Sequence, residues 1–302
     1  MDTYNQKNLK ENNNNSNNKS IVSADENMIT SINKKSRFTS NDIINMKSMY
    51  DSGNSLRKIA KYYGVHYNSI YSIFKKNGFA IRSYSYSNRK HYINENYFDN
   101  IDTQNKAYFL GLLFADGCNC SNNRIILSLQ EKDKHILESL VKELECNYEI
   151  KTTKYNEKNS NWQNQCKLDI TNKHMSHVLY DIGMVYAKSL VLDFPKDIPE
   201  YLIPHFLRGY MDGDGCIYFK EGRYFCSITS TEKFCLKIQD ILSKIGVETH
   251  LYNTKNENTS TRTLYIWNKD SCKKFLDYIY NDAELYLFRK YNTYINKFYK
   301  SA

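Results

Sequence analysis

The sequence predicts an α+β fold built from two similar halves, each running through helix, paired strands, helix, strand and helix, with a small all-α unit in front. Three observations carry that expectation. Two apolar stretches, Phe109-Leu110-Gly111-Leu112-Leu113-Phe114-Ala115-Asp116-Gly117 and Phe206-Leu207-Arg208-Gly209-Tyr210-Met211-Asp212-Gly213-Asp214-Gly215, both end in Asp-Gly and stand in register 98 residues apart. The same succession of strand and helix patterns follows each of them. Ahead of both lies one short segment that holds nearly all of the chain's net charge of +9.

Residues 1–36 hold eight asparagines in their first twenty positions and too few apolar residues to offset the entropy of ordering, so a disordered tail is expected. From Arg37 to Tyr92 ten Lys/Arg stand against Asp42 and Asp51, while the rest of the chain has 32 basic and 31 acidic residues. Cations concentrated in this way form a surface for a polyanion, and the phosphate charge of nucleic acid makes it the leading partner. Within residues 37–80, Ile43, Ile44, Met49 and Tyr50 mark a helix capped at Ser40 or Asn41. Ser55 to Lys76 reads as a helix-turn-helix: Ala60 is small where two helices touch, Gly64 makes the turn, and Val65, Ile70 and Ile73 pack the second helix back. His66, Tyr67, Asn68, Ser69, Ser72, Lys75 and Lys76 then face a DNA major groove and its phosphates. Residues 81–102, rich in Ser, Tyr, Asn and Arg, read as a linker.

The halves span residues 103–200 and 201–302. In the first, helix runs from Gln104 to Asp116, paired strands from Cys118 to Gln130, helix from Lys132 to Cys146, strand from Cys166 to Thr171 and helix from Lys173 to Ile182. In the second, Pro204 opens a helix that ends at Asp214, followed by strands from Cys216 to Ser230, helix from Glu232 to Ile245, strand from Thr263 to Trp267 and helix from Lys269 to Tyr280. A duplication this long is not a solenoid repeat, so two half-domains related by an approximate twofold axis are expected.

Gly111 and Gly209 let two helix backbones approach closely, and Gly117 and Gly215 suit a left-handed helix stop. Asp116 and Asp214 then meet at helix C-termini, where each carboxylate costs about 0.3–1 kcal/mol and repels the other. A divalent cation between them removes both penalties. Hard oxygen ligands point to Mg²⁺, which activates water and stabilises the leaving oxygen of a phosphodiester.

The paired motifs resemble the signatures of LAGLIDADG homing endonucleases, with Leu207 to Gly215 the closer match and Leu110 to Gly117 the looser. The likeness spans about residues 97–300. It implies that Asp116 and Asp214 bind the catalytic metal together with the backbone of Ala115 and Gly213, that Mn²⁺ can substitute for Mg²⁺, and that Asp212, replaced by Phe114 in the first motif, is dispensable for cutting. A lysine late in each repeat maps onto Lys188 and Lys290, 72 and 76 residues after the respective aspartates. A further polar residue maps onto Gln130 or Glu131, and onto Thr229 or Ser230. The resemblance further implies a strand at Glu149 to Lys154 and at Glu248 to Lys255, which completes an αββαββα order in each half, and implies that the strands form two saddle-shaped sheets in the major groove. The implied activity is site-specific hydrolysis of double-stranded DNA by a monomer that needs no protein partner. A catalytically inactive DNA-binding regulator and an RNA maturase use the same fold and are the alternatives.

No apolar run approaches the roughly eighteen residues of a membrane span, and the polar N-terminus has no signal-peptide pattern. Eight cysteines without a C-x-x-C pair argue for reduced thiols in an intracellular setting. Cys118 and Cys120 share a strand face, where buried thiols are expected. His174 and His177 have helical spacing but no convergent acid, and are expected to be a surface or packing pair. Nucleotide hydrolysis is unsupported, since neither glycine-rich phosphate motif occurs.

Overall fold

The computed structural model describes residues 37–82, 91–254 and 261–300, so the expected Asn-rich tail lies outside the described residues. The chain divides into two compact units, Met1–Lys90 and His91–Ala302.

In the first unit, helices α1 (Ser40–Asp51), α2 (Leu56–Tyr62) and α3 (Tyr67–Lys76) enclose a small core of Met46, Tyr50, Leu56, Ile59, Ala60, Ile70 and Phe74. Thr39, and neither Ser40 nor Asn41, caps α1: its hydroxyl accepts from Asp42 N while the Asp42 carboxylate accepts from Thr39 N. This reciprocal pair satisfies two otherwise free amides, which is why the cap falls one residue earlier. Gly64 adopts φ +62°, and Val65 N then donates to Ala60 O at 2.9 Å, closing the turn between α2 and α3.

The second unit contains α4 (Gln104–Asp116), β1 (Gly117–Cys120), β2 (Arg124–Gln130), α5 (Lys134–Glu143), β3 (Lys151–Thr153), β4 (Gln165–Thr171) and α6 (Lys173–Ile182). The same series follows as α7 (Ile203–Asp214), β5 (Gly215–Lys220), β6 (Arg223–Thr231), α8 (Glu232–Lys244), β7 (His250–Asn253), β8 (Thr261–Trp267) and α9 (Lys269–Tyr280), with α10 (Phe288–Phe298) last. Both sheets are antiparallel and identically ordered, β1-β2-β4-β3 and β5-β6-β8-β7. Helices α5 and α6 cover the first, α8 and α9 the second, and one apolar core runs through both.

α4 and α7 pack along their length at the centre. The approach is reciprocal: a Cβ on Gly111 would overlap the Phe206 carbonyl, and one on Gly209 would overlap the Tyr108 carbonyl, each three residues before the opposite glycine. That symmetry of contact is the approximate twofold. Gly117 and Gly215 are not left-handed stops. They are extended (φ −80° and −79°), and each starts the following strand directly. Glycine is required there because a Cβ would lie 2.5 Å from Leu113 O or Met211 O, so crowding rather than backbone handedness selects it.

Part of the expected linker is packed. Tyr97 and Phe98 are buried in the core, the Tyr97 hydroxyl donates to Glu143 at 2.9 Å, and His91 stacks on Tyr148. Two aromatic rings outweigh the polar composition around them; residues 83–90 lie outside the described part. The C-terminal helix α10 was not expected, although Lys290, Tyr294 and Phe298 recur at helical spacing.

Candidate active site

The apolar character of α4 and α7 follows from burial: Ala107 to Ala115 and Phe206 to Asp212 are all buried. Each helix surfaces only at its last residue. Asp116 and Asp214 are exposed at these adjacent ends. The ends are tight, since a Cβ on Gly213 would overlap the Ala115 Cβ and lie 3.1 Å from Asp116 Oδ2. Loss of water and then the Asp214 charge push the Asp116 carboxyl up to about 6. Loss of water likewise raises Asp214, against the pull of Lys188 and Lys290.

The two expected lysines arrive by different routes. Lys188 opens a 3₁₀ turn (Lys188–Leu190) after left-handed Ala187 and donates to Ala115 O at 2.7 Å. Lys290 projects from α10, is 6% exposed, and donates to Met211 O (2.5 Å), Asp212 O (2.8 Å), Gly213 O (3.3 Å) and Gly215 O (2.6 Å). The ammonium thus holds the unfavourable C-terminal carbonyls of α7. Burial lowers both lysines, Lys290 to about 8. The carbonyls of Ala115 and Gly213, expected as metal ligands, are therefore already acceptors for these lysines, with one lone pair each remaining.

Among the described residues no group of three or more His, Cys, Asp and Glu side chains gathers to hold a metal. A pair of crowded carboxylates flanked by backbone oxygens nevertheless fits a hard cation such as Mg²⁺, which takes one or two protein carboxylates and completes its shell with water and phosphate oxygens. Asp116 also carries a pH signature. Its folded pKa is raised above the ordinary 3.8, so its contribution to stability is present below that value and is lost as pH rises through about 6. Metal-free Asp116→Asn is thus expected to be more stable than the parent at about pH 8, by about 0.3–1 kcal/mol, and equal to it at about pH 4. Thermal unfolding in chelator at the two pH values checks this.

Asp212 has a different role from its neighbour. It is fully buried and accepts from Tyr108 Oη (3.0 Å), Tyr280 Oη (2.8 Å) and Leu287 N (2.8 Å). Arg208 beside it, also fully buried, donates to Leu285 O, Ile279 O and Gln104 Oε1, shares a hydrogen bond with His205 Nδ1, and lies 5.3 Å from the Tyr108 ring. The first half replaces Asp212 by Phe114, which packs edge-on to Phe206. Asp212→Ala leaves three buried donors without an acceptor and is expected to cost about 2–4 kcal/mol in urea unfolding, with Asp212→Asn costing less. The packing of α7 against Tyr108, Tyr280 and Leu287 rests on this acid.

The further polar candidates separate. The ladders start at Gly117↔Leu127 and Gly215↔Ile228, so Ser128 and Thr229 are the next residues along β2 and β6 past the partners of the two glycines that follow the acids. Thr229 is exposed and shares a 2.9 Å hydrogen bond with Thr263, whereas Ser230 is buried and accepts from Tyr210 Oη at 3.0 Å. Gln130 lies two residues beyond Ser128 with its Oε1 buried, and Glu131 accepts from Asn164 Nδ2 at 2.8 Å. Ser128 is thus the strand residue that sequence reasoning missed; only the register reveals it. Cys118 and Cys120 lie on the outward sheet face, with Cys118 exposed and the two Sγ atoms 3.4 Å apart, because the buried positions of β1 belong to Gly117 and Asn119. His174 pairs with Asp99 at 2.7 Å on the surface.

Residues 203–280 match the family model of the LAGLIDADG-like domain. That stretch is α7 through α9, and the first half repeats its element and sheet order, so the fold is the duplicated LAGLIDADG fold. Among solved structures, a full-length DUF199/WhiA from Thermatoga maritima is 16% identical with a TM-score of 0.41, over 68% of this chain and 70% of that one. The I-LtrWI LAGLIDADG homing endonuclease bound to target DNA is 12% identical with a TM-score of 0.44, over 68% and 89%. I-DmoI in complex with DNA and Ca is 16% identical with a TM-score of 0.43, over 68% and 99%. No curated protein matches the chain.

In the first unit by itself, Asn68, Ser69, Ser72, Lys75 and Lys76 are exposed along one side of α3. Tyr67 is half-buried, stacks on Tyr71 at 5.9 Å and lies 5.9 Å from the Arg57 guanidinium. His66 is the N-cap of α3, its Nδ1 accepting from Asn68 N at 3.3 Å. Among the described residues no helix is long and apolar enough to cross a membrane.

Proposed function

We propose that the protein is a site-specific endonuclease that hydrolyses one phosphodiester in each strand of double-stranded DNA and acts as a monomer. The observation that supports this most is the pair of carboxylates at the tips of two crossing helices, each tip carrying a lysine on the carbonyl before the acid. Asp116 and Asp214 would hold a divalent cation, Mg²⁺ or Mn²⁺, which supplies a more acidic water and a counter-charge for phosphate. Lys188 and Lys290 set two positive charges beside the same point, where negative charge accumulates on the phosphoryl oxygens as water attacks. Both are fixed by backbone acceptors before substrate arrives, so little reorganisation is needed. Thr229 and Ser128, on the strands paired with those that leave the acids, would be the candidates to orient water.

The first unit reads as a helix-turn-helix that adds affinity, with Asn68, Ser69 and Ser72 toward base edges and Lys75 and Lys76 toward phosphates. The test is recovery of cut molecules from a randomised duplex library incubated with the full chain and Mg²⁺. Cut molecules sharing a sequence support the reading. Retention of a shared duplex sequence without cutting in Mg²⁺ or Mn²⁺ would assign the chain as a DNA-binding regulator, and preference for structured RNA would assign it as a maturase.

A further inference from the structure

The outward face of the second sheet differs in kind from that of the first. Cys226, Ile228, Leu264 and Ile266 are buried beneath α8 and α9, so their alternates face away from the helices. There Tyr218 stacks on Phe225 (5.0 Å, 18°), Phe225 meets Trp267 (5.6 Å), Trp267 stacks on Tyr265 (5.0 Å, 15°), and Tyr265 meets Tyr252 edge-on (5.6 Å, 80°). Five rings form one run across four strands, and Tyr252 and Trp267 remain 50% and 39% exposed. The matching face of the first sheet carries Arg124, Ile126, Ser128 and Gln130 on β2 and Gln165, Lys167 and Asp169 on β4, with Arg124 forked onto Asp169 at 3.1 and 2.5 Å. The first face is mostly charged and amide side chains, whereas the second is dominated by aromatic ring surface, with Thr229 and Thr263 at the end nearer Asp214.

The rings are continuous with the site. β5 begins directly after Asp214, and Tyr218 is its fourth residue. At about 3.3 Å per residue, the row Tyr218–Phe225–Trp267 stands about 13 Å from the carboxylate, or about four base-pair steps along a duplex. Lys220 and Arg223, both exposed, close the hairpin beyond the rings, with Glu221 3.3 Å from Lys220. Cations at that end suit phosphates.

A duplex seated over the two carboxylates, the reading on which this inference rests, would present its major groove to the rings. Phe225 touches three of the other four rings, Tyr218, Trp267 and Tyr265, and has neither donor nor acceptor to return to a base edge. Covering the polar major-groove groups of any base pair without a partner is unfavourable, and thymine alone among the bases offsets this with a C5-methyl that gains from apolar contact. We propose that the second sheet reads its half-site through pyrimidine 5-methyl groups. The target is then thymine-rich on one side of the cut and read through hydrogen bonds on the other. Each methyl buried against a ring is worth about fourfold in affinity, the equivalent of about 0.8 kcal/mol.

The test is duplex retention by the full chain from two randomised pools, one synthesised with dTTP and one with dUTP, which lacks the methyl. The dTTP pool is expected to yield sites enriched in thymine on one flank. In the dUTP pool that flank loses its enrichment while the other keeps its sequence. Resynthesis of a selected site with deoxyuridine on the ring flank should weaken binding about fourfold per methyl, and 5-methylcytosine in place of cytosine there should strengthen it. Phe225→Ser, at a half-buried surface position, should abolish the dT-over-dU difference and leave the other flank unchanged. Identical flanks from both pools, or an unchanged dT-over-dU difference in Phe225→Ser, overturns the inference while duplex recognition stands. Retention of single strands in place of duplex overturns both and reassigns the rings to stacking on unpaired bases.

Discussion

Replacing Asp116 and Asp214 together by Asn is expected to abolish Mg²⁺-dependent cutting and to leave duplex retention intact. Asn has the shape of Asp, so the crowding of the two helix tips, where Asp116 abuts Gly213, is preserved. The lysines stay in place as well, because they hold backbone carbonyls rather than the carboxylates. What is lost is charge: two neutral amides do not hold a divalent cation, and Lys188 and Lys290 no longer face counter-charges. Each single variant should lower the cutting rate by on the order of 10²–10⁴-fold, the range for removing one group that acts on the transition state. Supercoiled plasmid carrying a selected site reports both strands, as nicked and linear products. Linear product from the double variant at the parent's rate would remove these acids from the mechanism.

Gly111→Ala and Gly209→Ala are expected to be the most damaging single changes to the fold. Each new methyl would overlap a main-chain carbonyl of the opposite helix, Phe206 or Tyr108, and a carbonyl within a helix cannot swing aside as a flexible side chain can. Relief requires α4 and α7 to separate, which opens voids along the one apolar core shared by both halves. A cost of about 4–5 kcal/mol is expected for either, at the extreme of single substitutions, with loss of cooperative unfolding. Unfolding midpoints in urea check it. Gly64→Ala makes an informative contrast, since a Cβ there meets nothing within 4 Å and the cost comes from its left-handed φ of +62° alone.

The parts of this fold that were legible in the sequence are those fixed by periodicity. α6 and α9 fall on the expected bounds because Asn172 and Asn268 cap them and their apolar spacing is regular. The duplication was visible because Gly111/Gly209 and Asp116/Asp214 stand in constant register. Other features depend on contacts that no spacing encodes. α10 has an exposed Phe288 and polar residues at most positions, so its identity as a helix rests on Lys290 and Tyr294 turning inward. Asp212 reads from sequence as a spare acid, and only the meeting of Tyr108, Tyr280 and Leu287 around it reveals a buried hub. Likewise, the ladder that pairs Gly117 with Leu127 and so sets Ser128 next to the start of β1 comes from pairing between strands, which a one-residue slip would change entirely.

The tips of α4 and α7 are close enough that Ala115 faces a residue with no side chain, Gly213. Two copies of the first half could not meet in this way, since two methyl groups would claim the same space. Self-association through this seam is thus closed to the first half, while the second half, supplied as a separate polypeptide, remains an acceptable mate. In a split version of the chain, the first half should therefore be found only in the mixed pair and never paired with itself.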